Sequence, residues 1–572
     1  MNIFSARTRL KPVVWPVLTA IAVNGIGVTQ AQTPPPDAGR ILQEQIRPQL
    51  LPPKAVQSIQ LDSPALSEVL PGGVSVTLKR ISFSGNTRLN QDQLQAVVSD
   101  ALGKALDLGG LKALANRVTE HYRAQGYPFA KAFIAVQTFS EGALRIDVIE
   151  GQYGQVRALL GTAGQADPSL QALAQRYMAN LTPGAVIESA QLERLSLVLQ
   201  DLPGFKVSPV LSPGQAMGTG DLDFNIERTQ RINGDAGADN QGSRYTGRDR
   251  IRANLDINSP FLLGDQLTLR SLLSDQGMWM GALGYSLALG VSGLRANASY
   301  AHTYYELGGS FASAGQTGTA DVTSIGLTYP LLRSQQANVN LSASWQDKQL
   351  NDKNALANTN ADKTSNTLPI TASFDVRDSL GGGGVTYGAL AWTSGSLNLD
   401  STLAASDAQA QTSGHFNKFN LDVARIQSLP WGGGNFTLFG KLSAQHADKN
   451  LDSSEDFGLG GATGVRAYPS GEGFGDAGWL TQIELRYSAG AYAPYLFYDA
   501  GSITTNANPW TVTAAGNERK LAGLGAGVRY QRSSWSLDAA LAWRTEGGLP
   551  QSDTQDLREQ GPQVWLNLGW RF

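Results

Sequence analysis

The sequence predicts a mostly β protein: a transmembrane antiparallel β-barrel of about sixteen strands, preceded by two small α/β domains and an N-terminal helix. Three observations predict it. Alternation of apolar and polar residues recurs through residues 229–572, where helical periodicity is absent. Residues 75–228 run twice through a strand, two helices and a hairpin. No stretch beyond the N-terminus approaches the ~20 apolar residues that a spanning helix needs.

Composition narrows the functional classes. A chain of 572 residues exceeds one ordinary core, so several domains are expected. Charged residues are only 16% and the net charge is −3, which argues against a nucleic-acid partner, whose binding domain would be clearly basic. Cysteine is absent, so disulfides, thiolate metal sites and a cysteine nucleophile are excluded. The four histidines, His121, His302, His415 and His446, are scattered. Neither H-E-x-x-H, G-x-S-x-G nor a Walker-type loop occurs. No catalytic residue, metal or cofactor is therefore expected, and the chain is not read as an enzyme.

At the N-terminus, Arg7, Arg9 and Lys11 precede an apolar stretch that ends in Val28-Thr29-Gln30-Ala31. This is the pattern of a secretory signal peptide over residues 1–31. Within residues 32–47, Asp37 to Arg47 (DAGRILQEQIR) reads as a short helix with Asp37 as N-cap and Pro48 just past its end. So short a helix is marginal alone in water, so it must dock or fray. Residues 48–74, with Pro52, Pro53, Pro64 and Pro71, read as a linker.

The first α/β unit spans 75–150. A strand from Val76 to Phe83 precedes a helix face of Leu94, Val97, Val98, Ala101 and Leu102. Leu111, Leu114, Ala115, Val118 and Tyr122 form a second face, followed by strands Ala132–Thr138 and Ala143–Ile149. The second unit, 151–228, repeats the order more loosely and ends with strands Phe205–Leu211 and Gly220–Glu227.

From residue 229 the signal is two-residue alternation. Ile251, Ala253, Leu255 and Ile257 share one face, as do Val339, Leu341, Ala343 and Trp345, and Trp535, Leu537, Ala539, Leu541 and Trp543. Long polar stretches, Gln349–Asn366 and Asp400–Ser413, read as turns between strands of about ten residues. A single such strand also fits a soluble sandwich; their number favours a barrel, the β solution that leaves no unpaired backbone in hydrocarbon. The final strand, Gln563 to Phe572, puts Val564, Leu566, Leu568, Trp570 and Phe572 on one face.

The segment Gly458 to Gly478 (GLGGATGVRAYPSGEGFGDAG) places Arg466 inside a glycine-rich run. Gly473, Gly475 and Gly478 spell G-x-G-x-x-G, but the residues after them, Trp479 to Tyr487, alternate as a strand. The dinucleotide reading, which needs a helix there, is rejected.

These residues together resemble the outer-membrane transporters of two-partner secretion (TpsB, haemolysin activator type). Leu202-Pro203-Gly204, then Pro213, Gly214 and Gly218 before Asp-Leu, are similar to a signature of that family's second POTRA domain. Val465-Arg466-Ala467-Tyr468 resembles the family's loop tip, and Phe497-Tyr-Asp499-Ala-Gly501 its barrel-strand motif. The resemblance implies a plug helix (32–47), POTRA domains at 75–150 and 151–228, and a barrel whose loop, 455–480, enters the lumen. It implies that Arg466 pairs with Asp499, and that Trp570 and Phe572 belong to an assembly signal read by the barrel assembly machinery. Ala467 departs from the usual glycine; if the site needs positive φ, alanine there costs about 1 kcal/mol. The implied function is export of an unfolded exoprotein, a haemolysin, adhesin or contact-dependent inhibition toxin, across the bacterial outer membrane. Its partners would be that TpsA-type exoprotein, docked on the POTRA domains in the periplasm, and outer-membrane lipid. The alternative is an outer-membrane assembly factor that inserts other proteins.

Overall fold

The computed structural model describes residues 35–46, 52–53, 66, 68, 72–160, 167–510, 516–552 and 560–572. The expected signal peptide and most of the linker lie outside the described residues.

Helix α1 (Ala38–Ile46) begins one residue after its cap: the Arg40 N–H donates to the Asp37 carboxylate at 3.0 Å. In the first α/β unit the expected strand Val76–Phe83 is broken. Val76–Thr77 pairs with Ala105–Leu106, and Arg80–Ser84 pairs in parallel with Ala143–Ile149. The third strand is only Lys131–Phe133. The expected continuation to Thr138 fails because the Gln137 side-chain amide, not its backbone, bonds the Arg145 backbone, at 2.9 and 2.8 Å. Leu94, Val98 and Ala101 are buried against Leu111, Leu114, Val118 and Tyr122, whereas Leu102, past a 3-10 turn, is exposed. The second unit orders its sheet as Gln152–Leu160, Thr219–Arg228, Phe205–Pro213, the first pair parallel and the second antiparallel. Helices Pro168–Tyr177 and Ser189–Gln200 cover it.

Among the described residues, sixteen antiparallel strands close into a barrel. They are β1 (Ile232–Asp239), β2 (Arg250–Asn258), β3 (Gln266–Ser274), β4 (Trp279–Ala288) and β5 (Arg295–Glu306). Next come β6 (Gln316–Arg333), β7 (Ala337–Asn354), β8 (Thr359–Asp378), β9 (Gly384–Leu399), β10 (Gly414–Leu429) and β11 (Phe436–Ala447). The last are β12 (Ala477–Tyr487), β13 (Tyr492–Thr504), β14 (Glu518–Arg532), β15 (Trp535–Glu546) and β16 (Gln563–Arg571). Strand β16 pairs with β1, so every wall strand has two neighbours. The alternating residues Trp535, Leu537, Leu541, Trp543, Val564, Leu566, Leu568 and Trp570 are exposed on the outer surface, where lipid covers them.

Strands β6 to β10 are 16–20 residues long, not ten. Most of Gln349–Asn366, read as a turn, therefore belongs to β7 and β8, joined only by residues 355–358. Beyond the bilayer both faces of a strand meet water or the wet lumen, so apolar alternation is lost there while the ladder continues.

The last side chain of the first α/β unit organises its entry loop. Glu150 accepts from the Thr87 and Arg88 N–H groups, each at 2.7 Å, and from the Tyr122 hydroxyl at 2.9 Å. Burial works against its charge, but these hydrogen bonds prevail and hold its carboxyl below the usual range. A depressed folded pKa contributes stability above the unfolded value and loses it as pH falls through the folded one. Glu150→Gln is therefore expected to destabilise this unit by about 1–3 kcal/mol at neutral pH. Below the carboxylate range variant and parent should converge, which hydrogen exchange of the Thr87 and Arg88 amides against pH would measure.

Candidate functional site

The loop after β11 turns inward. Ser453–Glu455 form a 3-10 turn, Phe457–Gly458 pairs with Phe474–Gly475, and residues 459–473 form the tip. Val465, Arg466, Ala467 and Tyr468 are all buried. Arg466 reaches Asp499 of β13 with two guanidinium nitrogens at 2.8 and 2.7 Å, and its backbone N–H donates to the same carboxylate at 3.1 Å. Its remaining terminal nitrogen meets Glu484 of β12 at 2.5 Å. Phe497 stacks on the guanidinium, 3.6 Å from ring centre to carbon. The Arg466 carbonyl accepts from the Trp565 indole at 2.7 Å, so β16 joins the cluster.

Register explains the convergence. Gln482 pairs with Asp499 and Glu484 with Phe497, so Asp499 and Glu484 are inner-face diagonal neighbours on adjacent strands. Glu484 also receives Arg486 at 2.7 Å and Arg529 at 3.1 Å, and Arg529 continues to Asp538 at 3.0 Å. A planar guanidinium can meet two carboxylates and a ring at once; an ammonium cannot.

The wall is notched to receive the loop. A Cβ on Gly501 would fall 2.4 Å from the Leu459 side chain, and one on Gly523 would fall 2.2 Å from the Ala467 methyl. One on Gly547 would fall 2.6 Å from the Tyr468 hydroxyl, which donates to the carbonyls of Glu546 and Gly548 at 2.5 and 3.0 Å. Ala467 is not among the residues with positive φ, so the left-handed penalty considered for it does not arise. Its methyl is accommodated by Gly523 instead.

Helix α1 lies against the opposite side of the lumen. Ala38, Ile41 and Leu42 pack with Met278, Tyr305, Ala320 and Leu350. Lys363 donates to Asp37 at 2.6 Å and to Asp452, at the loop's root, at 2.7 Å. Ser453 donates to Asp37 at 2.7 Å, and Gln43 donates to the Ser454 carbonyl. A Cβ on Gly39 would meet Ser453 Oγ at 2.3 Å and the Ser454 nitrogen at 2.6 Å, so only glycine lets the helix seat.

The remaining sequence-predicted residues are not gathered at this site. Leu202, Pro203 and Gly204 form the joint between the second α/β unit and the barrel. Leu202 packs beside Leu263 and Gly264, the Pro203 carbonyl accepts from Ser259 at 3.3 Å, and the Gly204 carbonyl accepts from the Thr229 N–H at 2.9 Å. Pro213 ends a strand, the Gly214 N–H donates to Thr219, and Gly218, with φ of 79°, lies against Ile149 at the joint between the two α/β units. Trp570 stacks near Trp535 and Phe572 on the outer surface, and the Phe572 N–H donates to the Gly234 carbonyl at 3.0 Å. Sequence reasoning missed Glu484, Trp565, Lys363 and Gly523. An inward-facing glutamate among membrane-strand residues was a usable signal for the first; the others depend on register.

A closed barrel whose lumen holds a salt-bridged loop and a docked helix, with two α/β domains on the side where its strands begin, fits an outer-membrane transporter. Comparison with known families identifies which one. The haemolysin secretion/activation protein ShlB/FhaC/HecB model matches residues 218–530, and the ShlB-type POTRA domain matches 76–151. The chain belongs to this family of two-partner secretion transporters, located in the outer membrane with its POTRA domains in the periplasm. The heme/hemopexin transporter protein HuxB of Haemophilus influenzae is 27% identical over 93% of this chain and 94% of its own. The outer membrane transporter CdiB of Dickeya dadantii is 21% identical over 82% and 79%. The structure of CdiB from Escherichia coli matches in fold with a TM-score of 0.70 at 19% identity, covering 93% of this chain and 95% of its own.

Removing the guanidinium strands Asp499, which is wholly buried, without a cation. Arg466→Ala is expected to cost about 3–5 kcal/mol of barrel stability. Arg466→Ala with Asp499→Asn should recover much of that loss, because the buried charge goes too. Thermal loss of the heat-modifiable folded form in detergent would measure both.

Proposed function

We propose that this transporter captures an unfolded TpsA-type exoprotein on its POTRA domains and passes it through the lumen, acting as a translocator and not as an enzyme. The observation that carries the reading is the resting lumen: a helix latched by Lys363 and a loop latched by Arg466 together fill a pore that would otherwise leak. The short POTRA sheets offer backbone edges to which an extended chain can add by main-chain hydrogen bonds. The sequence holds no nucleotide motif, so folding outside the cell supplies the direction of transport. Trp570 and Phe572 serve recognition by the barrel assembly machinery, and the apolar belt serves contact with outer-membrane lipid.

Helix α1 acts as the plug and leaves when cargo engages. Gly39→Leu, which blocks seating against Ser453, is expected to raise single-channel conductance several-fold in planar bilayers; an unchanged conductance would refute plugging. Deleting residues 75–228 should leave a heat-modifiable barrel yet remove the partner exoprotein from culture supernatants. Export undiminished in that variant would end the docking reading.

A further inference from the structure

Closure of the barrel depends on its seam, where the last strand meets the first. Among the described residues, five positions of β16 pair with β1, against eight to seventeen at every other junction of neighbouring wall strands. The backbone ladder runs from Phe572 and Gly234, at 3.0 Å, up to the Asn240 N–H, which donates to the Leu566 carbonyl at 3.3 Å. Side chains then reinforce it. The Asn240 amide donates to the Val564 carbonyl and accepts from the Leu566 N–H, both at 2.8 Å, so it stands in for one more peptide group. On the inner face Arg252 of β2 reaches over β1, bonding Asp239 at 2.9 Å and Asn567 of β16 at 2.8 Å. A Cβ on Gly237 would fall 2.7 Å from that guanidinium, so β1 carries glycine where the bridge crosses.

The lumen loop crosses the seam at its extracellular end. Ser470 donates to the Gln241 carbonyl, in the β1–β2 loop, at 2.8 Å. Two residues on, the buried Glu472 carboxylate accepts from the Gln551 and Ser552 N–H groups, in the β15–β16 loop, at 3.0 and 2.8 Å. It also pairs with Arg519. The Tyr245 hydroxyl donates to the Ser552 carbonyl and joins the two loops directly. Trp565 of β16 holds the Arg466 carbonyl at 2.7 Å, so the same loop grips the seam from inside. None of these bonds involves α1, whose Gln45 accepts from the neighbouring Arg250 instead, at 3.3 Å.

A parted seam would leave two rows of peptide groups in hydrocarbon, where no water can satisfy them. Handing a membrane strand sideways to the bilayer requires that parting; threading a chain along the lumen does not. The shortest ladder is the easiest to part, and it is the one that the loop covers.

We propose that Ser470 and Glu472 clasp the seam, and that β1 and β16 stay paired while the exported chain passes. The inference rests on the export reading above and extends it. The barrel works as a laterally closed conduit, and the arginine-anchored loop keeps it closed after α1 has left.

Ala238 and Leu568 face each other across the seam on the outer surface, within reach of a disulfide, and the chain has no other cysteine to interfere. Cells carrying the full-length Ala238→Cys/Leu568→Cys transporter would be oxidised after barrel assembly until the seam is crosslinked. Secretion would be followed for those proteins whose appearance in the culture supernatant requires the parent transporter. Export within twofold of that from reduced cells is expected. Export that stops on oxidation and resumes with reductant would overturn the closed seam while leaving export intact. In a Ser470→Ala/Glu472→Gln variant, the amides of residues 235–239 and 567–571 should exchange hydrogen at least tenfold faster than in the parent, with β8 and β9 unchanged. Unchanged exchange at the seam would overturn the clasp. If no supernatant protein depends on the transporter, the export reading falls and the proposal falls with it.

Discussion

The arginine buried between two carboxylates sets the shape of the lumen. A charge in so dry a place is tolerated only when fully paired, and here the pairing is spread across three wall strands and an aromatic ring. Arg466 takes Asp499 bidentately and Glu484 through its third nitrogen, leaving Glu484 to be shared with Arg486 and Arg529. Because Arg466 is the cation that meets Asp499 among the described residues, the loop and β13 are mutually dependent. The glycine notches at 501, 523 and 547 fit the same geometry, since the guanidinium can reach the wall only if the backbone around it comes equally close.

The plug depends on the same loop at its other end. Lys363 bonds Asp37 of the helix cap and Asp452 of the loop's root, so one buried ammonium ties both elements to β8. Ser453 and Ser454 contact the helix again through Asp37 and Gln43. Withdrawing α1 would remove one of the two anions at Lys363 and uncover the 453–455 turn. The loop tip, anchored elsewhere by Arg466, would keep its hold. The two latches are distinct ion pairs, and α1 also touches the loop's hairpin through Arg40, which lies over the Phe474 ring.

Much of the architecture was legible from the sequence because lipid imposes a strict rule on strands. Residues such as Leu537, Leu541 and Trp543 had to alternate with lumen-facing neighbours. The same rule explains what was misread. Gln349–Asn366 is paired strand that carries no apolar face, so its strands looked like a turn. Asp37 was legible as a cap, since capping is local. The Arg466–Asp499 pair came from family resemblance, not from spacing, because a 33-residue separation says nothing about register. Trp565 and Gly523 were missed for that reason: each acquires its role only when neighbouring strands are aligned to the residue. Ala467 was misjudged because space for a methyl is a property of the facing wall, not of the loop's own sequence.

The signature of the second POTRA domain illustrates a further point about motifs. Its residues follow one another in sequence yet serve two mechanical joints. Leu202 to Gly204 fasten the domain to the barrel turn at Ser259 and Gly264, while Gly218 lets the first domain's Ile149 approach closely. Substitution at either end would therefore disturb how the domain is held against its two neighbours, so the motif is read most directly as a pair of joints.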